Sequence, residues 1–105
     1  AALSEALALL DPQDAGVRPA GGGTALMLMM KAGVLEPSRL VSLRRVGGSH
    51  GAITATPDCV DIGALATLST LERSDVVASR LPVVVRTLRT LANVRVRSVA
   101  TLGGN

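Results

Sequence analysis

At 105 residues, with 48% hydrophobic and 18% charged, the chain fits one small globular domain with a modest core and not a disordered segment. No apolar run approaches the roughly 18 residues needed to cross a bilayer, and the opening AALSEALALL lacks a basic leader and carries Glu5, so neither a membrane span nor a signal peptide is expected. The net charge of +3 gathers in the last third, where Arg80, Arg86, Arg89, Arg95 and Arg97 face few acids.

The first expected element is a short helix over 4–10, with Ser4 as its N-cap and Leu3, Leu7 and Leu10 at helical spacing. The breaker DPQDAG ends it. An extended segment follows over 17–20, where Pro19 disfavours helix. Three glycines come next, and TALMLMMKAG then supports a helix that stops near Gly33. Strand, glycine run and helix start in this order point backbone N–H groups and the positive end of a helix dipole at one spot. The fingerprints G-x-G-x-x-G and G-x-x-x-x-G-K-S/T are both absent. The residues alone therefore leave two readings, a phosphate-binding turn or a tight turn without a ligand.

Beyond Pro37, RLVSL (39–43) reads as a strand, and GGSHGAITATP as a turn followed by another. CVDIGALAT alternates Val60, Ile62 and Ala64, as a half-buried strand does. A helix capped by Thr67 or Ser69 is expected over 67–75, and a longer one over 81–92 with Pro82 in its first turn. NVRVRSVATLGGN then reads as a return to extended chain. Mixed elements of this order predict an α/β (α+β) fold with small mixed sheets and short helices, divided as 1–55 and 56–105.

Side-chain chemistry is sparse. His50 is the single histidine and sits in a polar turn, without the sequence neighbours of a base or a metal ligand. Cys59, the single cysteine, has no metal-ligand spacing; it reads as a small buried hydrophobe and fits a reducing, cytoplasmic compartment. Met27, Met29 and Met30 read as core filling, and Glu72 and Asp75 as surface charge. Asp58 and Asp61 are expected on one strand, facing opposite ways. The arginine excess suits a solvated face or an anion site, and the absence of Phe, Tyr and Trp removes any platform for stacking nucleic-acid bases. These residues point to ligand binding, with no self-contained catalytic machinery, no metal site and no nucleic acid.

Two stretches carry a resemblance. RPAGGGTAL followed by MLMMKAG lies on the pattern R-P-x-A-G-G-T-D-L plus helix, with Gly22, Gly23 and Thr24 on its G-G-T. LANVRVRSVATLGGN (91–105) lies without a gap on I-A-N-P-Q-I/V-R-N-x-G-T-I/L-G-G-N/D. Together with LEPSRLVSLRRV and IGALATLSTLERSDVV, they make the chain resemble the FAD-binding subunit of molybdenum hydroxylases, the family of carbon monoxide dehydrogenase medium chains and xanthine dehydrogenase flavin subunits. The resemblance implies two small subdomains that clamp FAD between glycine loops. Gly21, Gly22, Gly23, Thr24 and Ala25 would form one loop on the pyrophosphate, and Thr101, Leu102, Gly103, Gly104 and Asn105 the other. It also implies partner subunits carrying molybdopterin and 2Fe–2S clusters, with FAD passing electrons from those clusters to an acceptor.

Departures from the pattern carry their own expectations. Ala25 replaces Asp or Ser and removes a side-chain partner. Val94 and Arg95 replace Pro-Gln, so that Arg95 adds charge near the pyrophosphate; Ser98 replaces Asn, and Ala100 replaces Gly. A positive φ at Ala100 would cost about 1 kcal/mol. Against the family pattern a first strand and everything after Asn105 are missing, so the resemblance implies a piece of a subunit, inactive alone and weak in binding FAD. Ala25 and Ala100 also allow an alternative, a non-catalytic scaffold of the same fold that binds no flavin.

Overall fold

The computed structural model describes residues 3–10, 12–91 and 93–104. Strand β1 (Val17–Ala20) leads through the glycines into helix α2 (Thr24–Lys31), and the chain returns as strand β2 (Arg39–Ser42). The strands are parallel, with Val17 opposite Arg39 and Ala20 opposite Ser42. Because a parallel pair needs a crossover, α2 is that crossover, and its N-terminus stands at the carboxyl end of β1. Gly33 stops α2: at φ +73° it donates to Met30 O, while Val34 N reaches Met29 O at 3.0 Å, the Schellman pattern.

Helix α1 (Leu3–Leu9) packs on β2 with Ala6 buried. Ser4 lies inside α1 and is not its cap. The expected leucine stripe is not the buried one, since Leu3 and Leu7 are exposed. Among the described residues α2 buries none of its side chains, and Met27 and Met29 are 51% and 42% exposed. Among the described residues Met27 and Met29 therefore do not fill a core, and Met30 is half-buried.

The second part begins with a 3₁₀ turn (Gly48–Gly51), followed by the antiparallel hairpin β3 (Ile53–Ala55) and β4 (Val60–Ile62). Its turn is closed by Thr56 N to Cys59 O at 2.8 Å. Asp58 lies in this turn, so only Asp61 stands on β4, and the latter strand stops before Ala64. Cys59 is exposed, which corrects the buried reading: it sits in the hairpin turn directly before β4, where its Sγ lies 3.2 Å from the Thr56 hydroxyl. Ile53 and Ile62 are directly opposite and both pack on the core.

That core is made by helices α3 (Leu68–Arg73), α4 (Asp75–Arg80) and α5 (Pro82–Thr90), through Leu68, Leu71, Val77, Val85 and Leu88. Each start follows local chemistry. Thr67 accepts from Thr70 N at 3.2 Å to cap α3, Ser74 accepts from Val77 N to cap α4, and Pro82 opens α5. The single helix expected over 67–75 is thus cut at Ser74, whose extended backbone ends one helix and starts the next.

Residues 94–99 form helix α6 (Val94–Val99) and not extended chain. Asn93 Oδ1 accepts from Val96 N at 3.0 Å, and this cap turns an apparent strand alternation into a helical one. The chain separates into two units, Ala1–Gly47 and Gly48–Asn105. A division at residue 55 would cut the β3–β4 ladder.

Candidate functional site

The first glycine stretch folds as a strand-to-helix turn. Gly23 is the N-cap of α2 with φ +77° and ψ 5°, a left-handed conformation that side chains disfavour. The first backbone bond into the helix is Met27 N to Gly23 O at 2.9 Å. The amides of Thr24, Ala25 and Leu26 therefore have no intrahelical partner, and no side chain caps them. A Cβ built on Gly23 would meet nothing within 4 Å, so the space over the turn is open. Gly21, Gly22, Gly23 and Thr24 are half-buried and Ala25 is exposed. Clustered amides, the positive end of an eight-residue helix and the Thr24 hydroxyl make a donor set suited to a phosphate or pyrophosphate.

The second stretch is built differently. Thr101 is buried and pairs with Thr67, the cap of α3. Leu102 N donates to Ala66 O at 2.9 Å, Gly103 N to Ala64 O at 2.8 Å, and Gly104 N to Thr101 Oγ1 at 3.2 Å. A Cβ on Gly103 would come within 2.8 Å of Ala64 Cβ, so glycine lets the loop lie flat against the 64–66 segment. These three amides are already engaged within the chain. Asn105 lies outside the described residues. The turn thus presents the exposed surface of Leu102, Gly103 and Gly104, held in place from beneath.

Ala100, where a positive φ would be costly, has none. Its φ of −61° and ψ of 139° are ordinary for alanine, and its carbonyl accepts from Leu68 N at 2.9 Å. Arg95 is exposed in the first turn of α6. The residue the motif reading passed over is Arg97. It is only 9% exposed, with Nε on Glu72 Oε2 at 3.2 Å and Nη1 on the Leu91 carbonyl at 2.9 Å. Glu72 is accordingly a half-buried partner of Arg97 and not free surface charge.

Among the described residues no group of three or more His, Cys, Asp or Glu is placed to hold a metal, and no helix is long and apolar enough to cross a membrane. His50 is half-buried in the 3₁₀ turn, where its carbonyl accepts from Leu65 N at 2.8 Å.

A family model described as the FAD binding domain in molybdopterin dehydrogenase matches residues 1–105. The chain is 36% identical over 103 residues to the carbon monoxide dehydrogenase medium chain of Afipia carboxidovorans, covering 98% of this chain and 35% of that one. It is 33% identical to the glyceraldehyde dehydrogenase medium chain of Sulfolobus acidocaldarius, over 97% of this chain and 36% of that one. Among solved structures it superposes on the Cu,Mo-CO dehydrogenase in its cyanide-inactivated form with a TM-score of 0.91 at 34% identity, over 98% of this chain and 36% of that one. Quinoline 2-oxidoreductase from Pseudomonas putida 86 gives 0.89 at 30% identity, over 99% and 36%. The chain therefore spans little more than a third of the length of the curated relatives it matches. With its two small sheets, one parallel and one antiparallel and neither of them mixed, its short helices and its open glycine turn, it belongs to the family of FAD-binding domains of molybdopterin dehydrogenases.

Proposed function

We propose that this chain holds the pyrophosphate of FAD within the medium subunit of a heteromeric molybdenum hydroxylase, whose other subunits carry molybdopterin and 2Fe–2S clusters. The observation that carries the reading is the Gly23 turn, with amides free of intrahelical partners beneath open space. Gly21, Gly22, Gly23, Thr24 and Ala25 receive the phosphates through backbone N–H groups and the Thr24 hydroxyl. Thr101, Leu102, Gly103, Gly104 and Asn105 make the second contact. Since the amides of Leu102, Gly103 and Gly104 are internally bonded, that contact is made by close approach of a flat, side-chain-poor surface. FAD, when bound, would supply the redox chemistry of electron transfer between the iron–sulfur clusters and an acceptor, and the residues of the two turns would position it.

Relatives named for carbon monoxide, glyceraldehyde and quinoline share this segment, so substrate choice belongs to another part of the assembly. The scaffold alternative leaned on Ala25 and Ala100. Ala100 is unstrained, and at Ala25 it is the main-chain N–H that faces the turn, so neither favours it.

The test is flavin content of the complex purified with its partner subunits, read from absorbance after release of FAD. Gly23→Val forces a branched side chain onto a left-handed backbone and into the open space. We expect FAD occupancy to fall by roughly tenfold or more, on the scale of lost charge-assisted bonds. Full occupancy in this variant would overturn the assignment.

A further inference from the structure

The flavin reading leaves the arginines of the last third unused. Several of them converge on a cavity of about 380 Å³ in the second unit, lined by Ser69, Glu72, Arg73, Arg89, Val94 and Arg97. Three guanidinium groups there face one carboxylate, and that carboxylate is engaged by Arg97 at 3.2 Å. Among the described residues no acid lies within ion-pair distance of Arg73 or Arg89.

Arg97 gives the cavity a fixed element. Its Nε and Nη1 are spent on Glu72 and the Leu91 carbonyl, which clamps the guanidinium plane. Its Nη2 makes no hydrogen bond among the described residues, and Arg97 is one of the residues that line the cavity. A buried, oriented guanidinium costs little further ordering when a ligand arrives, and Arg73 and Arg89 add two exposed guanidinium groups to the lining. Ser69 adds a hydroxyl.

We propose that this cavity is a second anion site, which takes the phosphate group of a small ligand. Guanidinium forks match the paired oxygens of phosphate, and the volume lies in the range of small-molecule pockets. A nucleic-acid strand is the poorer occupant, because the chain has no Phe, Tyr or Trp on which bases stack. No residue of the Thr101 turn lines the cavity, and Arg73 stands at the far end of α3 from its cap Thr67, which pairs with Thr101.

Calorimetric titration of the FAD-saturated complex with sodium pyrophosphate at low ionic strength tests it. The expected result is saturable one-to-one binding that the double variant Arg73→Gln/Arg89→Gln weakens by roughly tenfold or more. Both residues are exposed, so an unchanged thermal melt and unchanged FAD content certify an intact fold. Gly23→Val is expected to retain pyrophosphate binding, which separates failure of this site from failure of the flavin site. Titration with ADP and with inorganic phosphate distinguishes the sources: tighter binding of ADP identifies a nucleotide, equal affinity a free phosphate or diphosphate, and either supports the site. Equal pyrophosphate binding by the double variant overturns the proposal. So does loss of binding with Gly23→Val alone, or arginine-dependent capture of an acidic peptide without binding of pyrophosphate.

Discussion

Arg97 and Glu72 show how one side chain joins two helices. The ion pair ties α6 to α3, and the same guanidinium holds the Leu91 carbonyl at the end of α5. Replacing Glu72 by Gln keeps the shape but leaves the largely buried Arg97 without its counter-charge. A destabilisation of about 1–3 kcal/mol is expected, measured as a lower urea midpoint at unchanged slope. An unshifted midpoint would show that the pair is solvent-screened and contributes little. Leu71, fully buried in the same helix, belongs to a different mechanism. Leu71→Ala opens a cavity, with an expected cost of about 2–5 kcal/mol in the same measurement.

At the scale of elements, capping decides where the short helices begin. Thr67, Ser74 and Asn93 each accept from the amide three residues on. A six-residue helix such as α6 cannot nucleate on propensity alone, and its three β-branched valines offset its two good helix formers, Arg95 and Arg97. Asn93→Ala should therefore cost about 1 kcal/mol, seen as a lower melting temperature and faster amide exchange in 94–99. Unchanged exchange there would mean that packing against α3 sustains α6 by itself. The cap was legible as a residue type, but the alternation Val94, Val96 beside Arg95, Arg97 fits a strand equally well over so few positions. Helix and strand periods separate only over longer windows. The Thr67 cap, Pro82 and Gly33 were legible because each acts on its own backbone.

For the molecule as a whole, the packed interior is unevenly shared. The second unit holds the cluster of Leu68, Leu71, Val77, Val85 and Leu88, whereas the first buries Ala6, Val41 and Val46 and leaves α2 without a buried side chain. Hydrogen exchange is therefore expected to be slowest in α3 and α5 and much faster in α2, because local opening is easiest where little apolar surface is lost. Slower exchange in α2 than in α3 would contradict this distribution. It also bears on FAD, since a ligand held at the N-terminus of α2 stabilises the bound form by mass action. Added FAD should slow exchange in 23–31 first.

By itself the sequence determined much of the local geometry, though not the start of α1 or the helix over 94–99. Glycine and proline punctuation, helix caps and the strand–glycine–helix order act through neighbouring backbone atoms, and the two motifs in order were enough to indicate the family. Only the tertiary structure decided burial. Met27 and Met29 are exposed, Cys59 is open at a hairpin turn, and Arg97 is buried against Glu72. The second glycine turn likewise spends its amides on Ala64 and Ala66. Periodicity shows which residues share a face. Which face is covered, and which amide finds a carbonyl, depends on segments distant in sequence that meet only when the chain folds.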